Sequence, residues 1–262
     1  MSDLALLLDA AREAAPIALR HWRGDPSVEE KPDGQGPVSE ADIAVDTYLR
    51  GRLTNARPDA AWLSEETPDD GRRHHARDCF VVDPIDGTRA YLAGERSWAL
   101  SLALVREGRP VAAVVHMPAR GLTYAAAAGK GATLTRGPAP DRDLPEGTEP
   151  LRAAATHAPP RVLANRASLK PVHWPRGIPP HAPHFRPSLA YRIALVAEGR
   201  FDAMLTLRPT WFWDVAAGVL IAQEAGALAT DPSGAEPVFE GEVPQLPGLV
   251  VAPPELHGAL LP

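Results

Sequence analysis

Asp83-Pro84-Ile85-Asp86-Gly87-Thr88 places two carboxylates, a glycine and a hydroxyl within one short stretch. The run before it, Cys79-Phe80-Val81-Val82, is apolar and bounded by polar residues, which reads as a core strand. Carboxylates at the exit of such a strand are costly unless they are solvated, hydrogen-bonded or bound to metal. Pro84 stiffens the turn, so Asp83 and Asp86 can face one point with the Ile85 carbonyl between them. Gly87 lets a ligand approach the backbone, and the N–H groups after it can hold an anion. Oxygen ligands beside an anion site suit Mg²⁺ acting on a phosphate ester. Asp-Gly is also a common turn dipeptide, and by itself the hexapeptide reads equally well as a plain turn.

Three further segments shift that balance. Trp62-Leu63-Ser64-Glu65-Glu66-Thr67 sets a second acidic pair after a strand-like run. In Trp213-Asp214-Val215-Ala216-Ala217-Gly218 an aspartate opens a helix. In Val38-Ser39-Glu40-Ala41-Asp42, Ser39 reads as an N-cap and Asp42 completes an S-x-x-D capping box. Singly these are surface glutamates, a helix-dipole aspartate and a cap. Together, in this order, they are hard to assign to chance.

With these motifs the chain resembles the inositol monophosphatase superfamily of Mg²⁺-dependent, lithium-sensitive phosphatases. That group includes 3′(2′),5′-bisphosphate nucleotidases and some histidinol-phosphate and fructose-bisphosphate phosphatases. The matching pieces run from Lys31 through Glu65-Glu66 and Asp83–Thr88 to Trp213–Gly218 and Glu224-Ala225-Gly226, nearly the whole chain. The resemblance implies a layered αβαβα sandwich of the inositol monophosphatase and fructose-1,6-bisphosphatase type, with the active site between two halves. It implies that Glu65, Asp83 and the Ile85 carbonyl hold a first Mg²⁺, and that Asp83, Asp86 and Asp214 hold a second, in a site of two or three ions. Glu65 and Thr88 would orient and deprotonate the attacking water, while Asp42 hydrogen-bonds to the threonine hydroxyl. Gly87 and Thr88 would donate N–H groups to the phosphate, and Asp86, Arg89, Ser188, Ala190 and Asp214 are expected at the substrate. Lys31, in the loop before Asp42, matches a mobile lysine near the phosphate, and reads equally as a solvated loop lysine.

Other phosphatase chemistries fail on inspection. A Cys-x5-Arg enzyme would need arginine where this chain has Ile85, and the spacing of Asp83 and Asp86 breaks an Asp-x-Asp nucleophile signature. The histidines show no zinc spacing; His74-His75 and the pair His181 and His184 read as surface, and Cys79 as core. For the substrate, Arg89 stands where inositol phosphatases commonly have asparagine. The Leu63-Ser64-Glu65-Glu66 form also looks like the bacterial bisphosphate nucleotidases. A cation there suits a substrate with a second phosphate, unless Arg89 pairs with Glu95 or Asp86. The favoured reaction is 3′-phosphoadenosine 5′-phosphate to AMP and phosphate. Inositol 1-phosphate or another sugar or polyol phosphate comes second and histidinol phosphate third. A non-catalytic binder of phosphorylated metabolites is the reading from another class, but no ligand position is lost. Pro187 stands where relatives often have glycine or serine, and Phe212 where they are often polar. Arg192 and Arg208 could meet a second phosphate or be a helix surface and a strand exit. Trp211 and Phe212 could stack on adenine, though core packing is the default.

The elements that must position these groups are legible. Residues 3–23 give a helix with Leu4, Leu7, Leu8, Ala11, Ala15 and Ala18 on one side, bent or interrupted by Pro16. A polar loop, 24–37, leads to a helix over 39–56. Apolar runs at 98–105, 111–117 and 122–127 form an antiparallel meander with turns at Glu107-Gly108 and 129–131. Near residues 136–160 periodicity is lost, which puts the boundary between an N-terminal α+β half, 1–140, and a C-terminal α/β half, 141–262. The stretch 171–187 is Pro- and His-rich and irregular. In the second half, helices are expected at 189–198 and 214–225, closed by Gly199 and Gly226, with strands at 201–205 and 249–252 and a last short helix at 255–261.

Composition fits one medium-sized enzyme. The chain has 262 residues, 45% of them hydrophobic, enough for a large core. A net charge of −6 gives no general attraction to nucleic acid or anionic membrane. No apolar run nears the roughly 18 residues of a membrane span. The N-terminus lacks a basic region before Leu4, which argues against a signal peptide. One cysteine excludes an intrachain disulfide and fits a reducing compartment, so the expected place is the cytoplasm. The expected partner is a small phosphorylated metabolite, and family habit adds a homodimer.

Overall fold

The structure is a computed structural model that describes residues 1–24, 27–30, 37–140 and 146–262. Lys31 lies outside the described residues. Helix α1 (Asp3–His21) is capped by the Ser2 hydroxyl, which accepts from Ala5 N–H at 3.2 Å. Its buried stripe is Leu6, Leu7, Ala10, Ala11, Ala14, Ala15 and Ala18, turned from the expected face, with Leu4 and Leu8 only partly buried. Pro16 leaves the helix unbroken. It is exposed, as is Arg12 one turn earlier, so the carbonyl deprived of its partner can meet water. Where a plain loop was expected, β1 (Val28–Glu30) and β2 (Pro37–Ser39) pair antiparallel. Helix α2 (Glu40–Ala56) starts at the anticipated cap, with the Ser39 N–H and hydroxyl donating to Asp42 Oδ2 at 2.8 and 2.6 Å.

The expected meander is a seven-stranded sheet. β3 (Ala61–Ser64) runs parallel to β4 (Asp78–Asp86), from which the short helix α3 (Thr88–Leu92) departs. β5 (Ala99–Arg106), β6 (Arg109–Met117), β7 (Leu122–Ala127), β8 (Ala132–Arg136) and β9 (Gly147–Pro150) follow, each antiparallel to the last. Because β9 pairs with β8, this sheet takes a strand from beyond the boundary expected after residue 140. A polar, exposed strand such as Gly147–Pro150 carries no apolar alternation to announce it.

A second, five-stranded sheet has the order β11 (Ala182–His184), β10 (Arg161–Ala164), β12 (Ala203–Thr206), β16 (Leu249–Ala252), β14 (Leu228–Thr230). Its edge strand β11 lies inside the stretch expected to be irregular. β13 (Thr210–Trp211) and β15 (Gln245–Leu246) form a separate pair. The two sheets sandwich helices α4 (Leu189–Ala197) and α5 (Phe212–Glu224), while α6 (Pro254–His257) lies outside.

Strand alternation sets the layers. Phe80, Val82, Leu100, Leu102 and Val114 face α1 and α2. Val81, Ala99, Ala103, Ala113 and Val115 face α4 and α5, which in turn meet Leu163, Met204, Ala229 and Val251 of the second sheet. Val162, Leu205 and Val250 look the other way, onto Trp174 and Leu260. The order is therefore α, β, α, β, α. Gly218 belongs to this packing: a Cβ there would come within 2.9 Å of the Ile193 side chain, so the glycine lets α5 close on α4. Among the described residues no helix is long and apolar enough to cross a membrane.

Candidate active site

β4 does not stop before the hexapeptide but carries both of its aspartates. Asp83 pairs with Ser101 and Asp86 with Ala99, so the register slips between them, at Pro84 and Ile85. Proline, which has no ladder N–H to give, is suited to such a bulge. The Ile85 N–H turns back to donate to Asp83 Oδ1 at 2.9 Å. Asp83 is 2% exposed and Asp86 5%.

Two other elements bring carboxylates to Asp83. Glu65 follows β3, where its N–H donates to the Val82 carbonyl at 3.3 Å. Asp214 sits in the first turn of α5, which begins two residues before the expected start. Ser101 fixes that helix end: its hydroxyl donates to the Trp213 carbonyl at 3.0 Å, beside its strand partner Asp83. Oxygen atoms of Glu65, Asp83 and Asp214 thereby lie within 4.8 Å of one another. Burial pushes the Asp83 and Asp214 carboxyls well up, and the neighbouring carboxylates push them further. Neither has an ion pair with a described basic side chain. An all-oxygen, acidic, partly buried donor set of this kind matches a hard divalent cation and not a soft one.

Asp86 is held differently. Its carboxylate accepts from the Ser188 hydroxyl at 2.6 Å and from the N–H groups of Leu189 and Ala190 at 3.1 and 2.7 Å. The start of α4, in the helical layer between the two sheets, thus caps it. Burial raises its pKa to about 6 against these lowering hydrogen bonds. Ser188 and Ala190, expected at the substrate, are fully buried and spend their donors on Asp86. Gly87, at φ +99°, lies so close to the same helix end that a Cβ would meet Ser97 O at 3.2 Å and Ser188 N at 3.4 Å.

The Thr88 hydroxyl lies 3.4 Å from Asp42 Oδ1 and 3.2 Å from the Ile85 carbonyl, its two available acceptors. Sequence reasoning missed Asp46, one turn further along α2. It is 5% exposed, accepts from the Ser64 hydroxyl, and accepts from the Thr67 hydroxyl at 2.5 Å, bracing the loop that carries Glu65 and Glu66. The i, i+4 spacing from Asp42 was the available signal.

Of these groups Glu65, Gly87 and Thr88 line a cleft of about 640 Å³, together with Arg89, Glu95, Phe185, Pro187, Arg192 and Arg208. Arg89 and Arg208 are exposed, and among the described residues neither guanidinium has an ion pair. Asp86 is taken by α4, so the expected alternative of an Arg89–Asp86 pair does not form. Arg192 is not a surface residue: it is 7% exposed, and its guanidinium donates to the carbonyls of Arg186 and Pro187, the latter at 3.1 Å. Burial lowers its pKa to about 10. Phe212 is core, edge-on to Phe239, and Trp211 stacks on Trp213 at 4.8 Å. Burial pushes the Cys79 thiol up to about 12, so it is inert core, and His74 and His75 are exposed.

The profile of the inositol monophosphatase family matches residues 2–262. A Streptomyces griseus protein named glucose-1-phosphate thymidylyltransferase is 33% identical over 242 residues, covering 89% of this chain and 87% of that one. The 3′(2′),5′-bisphosphate nucleotidase CysQ of Escherichia coli is 30% identical over 199 residues, covering 76% of this chain and 77% of that one. The inositol-1-monophosphatase of Rhizobium meliloti is 34% identical over 216 residues, with 79% and 76% covered. Among solved structures, a Thermotoga maritima IMPase superposes with a TM-score of 0.81 at 25% identity, covering 100% of this chain and 96% of that one.

Proposed function

As the chain belongs to the inositol monophosphatase family and is a metal-dependent phosphatase, we propose that it is a Mg²⁺-dependent 3′(2′),5′-bisphosphate nucleotidase, converting 3′-phosphoadenosine 5′-phosphate to AMP and phosphate. The observation that carries the nucleotidase reading is Arg89. It is exposed in the same cleft as the acidic cluster, has no ion pair among the described residues, and faces that cleft together with Arg208. Two guanidinium groups without an ion pair among the described residues suit a second phosphate better than a neutral polyol. The similarity to CysQ supports the same choice.

Glu65, Asp83 and Asp214 would hold Mg²⁺, and Asp86 and the Ile85 carbonyl, on the same bulged strand as Asp83, would add further oxygen ligands. Bound there, the cation supplies positive charge that screens the phosphate and acidifies water. The chain's own groups do the rest. Thr88, its hydroxyl oriented by Asp42, positions the attacking water with Glu65, whose carboxylate takes the proton. The Gly87 and Thr88 N–H groups receive the charge that grows on the phosphate oxygens. Asp86, fixed by the N-terminus of α4, keeps the two halves in register around the substrate.

Inositol 1-phosphate is the second reading, supported by the similarity to the Rhizobium inositol-1-monophosphatase. Phosphate release with Mg²⁺ separates the two. A kcat/KM preference of about 100-fold for 3′-phosphoadenosine 5′-phosphate, about 2.7 kcal/mol in transition-state binding, is expected. The reverse preference would make this a polyol phosphatase and leave Arg89 a surface residue.

A further inference from the structure

Phe185 is the one large apolar side chain that is both strongly exposed and part of the catalytic cleft among the described residues, at 51% relative exposure. Exposure of a single apolar side chain needs no explanation by itself; what singles this one out is its place in the cleft and the way it is held there. This one is already backed on one side: the Arg192 guanidinium carbon lies 4.3 Å from its ring centroid. Arg192 in turn is buried and pinned by the carbonyls of Arg186 and Pro187, so the guanidinium is a fixed plane and not a wandering surface charge. The loop itself is anchored two residues after Arg186, where Ser188 donates to Asp86. The ring is thus held at the cleft by the same segment that fixes an acidic group of the site.

Resting on the nucleotidase reading, we propose that Phe185 is the stacking platform for the nucleobase, with Arg192 behind it and Arg89 and Arg208 left for the second phosphate. A flat, half-exposed ring recognises a flat π-face, which a purine has and an inositol lacks. A rigid backing lowers the ordering cost of that contact. Trp211 and Phe212 are already engaged with aromatic partners and leave this role to Phe185.

The test compares 3′-phosphoadenosine 5′-phosphate with glycerol 2-phosphate, which has no base, in the full chain with Mg²⁺. Phe185→Ala should lower the ratio of the two kcat/KM values about tenfold or more, chiefly through KM for the nucleotide. Inhibition by the product AMP should weaken by a similar factor. Phe185→Trp should restore both, while Phe185→Leu, which keeps apolar bulk without a π-face, should not. Melting temperatures of the variants separate a folding defect from a lost contact. An unchanged ratio in Phe185→Ala and Phe185→Leu, with the wild type still preferring the nucleotide, overturns this inference and leaves the nucleotidase reading standing. A wild type that prefers inositol 1-phosphate overturns both.

Discussion

Asp83 is the residue on which the proposed chemistry converges. It lies on the bulged strand, receives the Ile85 N–H, and shares the acidic cluster with Glu65 and Asp214. In the protein without metal it is crowded by like charge, and both burial and its neighbours raise its pKa. Asp83→Asn keeps the shape and relieves that repulsion. Metal-free melting should therefore hold or rise, while Mg²⁺-dependent phosphate release falls by at least about 1000-fold. Turnover near that of the wild type would sink the metal assignment.

At the scale of the element, α2 does more than cap itself. Asp42 reaches the exit of β4 through Thr88, and Asp46, one turn on, reaches the exit of β3 through Ser64 and Thr67. One helix face thus aligns the two strand ends that carry Glu65 and Asp83. Asp46→Ala removes both acceptors and leaves two hydroxyls without them, which should cost about 1–3 kcal/mol of stability. If Asp46 also positions Glu65, the Mg²⁺ concentration for half-maximal activity should rise and kcat/KM should fall about 10- to 100-fold. Asp46→Asn, which retains one acceptor oxygen, should recover part of the loss. A lower melting temperature with unchanged Mg²⁺ dependence would reduce Asp46 to a brace of the fold.

Across the whole molecule, the site is an interlayer object. Glu65, Asp83 and Asp86 come from the seven-stranded sheet, Asp214 from the helical layer beneath it, and the cap on Asp86 from the other helix of that layer. A cation bound by Glu65, Asp83 and Asp214 ties those layers together and binds only the folded chain. At about 100 times its dissociation constant Mg²⁺ should add about 2.7 kcal/mol, a rise in Tm of roughly 5–10 °C for a chain of this size. Asp214→Asn should remove most of that rise. Absence of any shift with Mg²⁺ in the wild type would mean that the cluster does not hold this ion.

Local rules determined much of this protein from the sequence. The capping box at Ser39 and Asp42, the glycines closing α4 and α5, and the alternating apolar strands depend on neighbours a few residues away, so they can be read along the chain. The acidic motifs were legible for the same reason: each is a short segment at an element's end, and their types alone suggest hard-metal chemistry. Tertiary structure decided what those segments meet. That Ser188 and Ala190 serve Asp86, that Asp46 braces the Glu65 loop, that Arg192 is buried behind an exposed Phe185, and that β9 completes the first sheet all follow from contacts between distant segments. Polar side chains carry no periodic mark of the partner they will find; only packing the layers together tells which donor reaches which carboxylate.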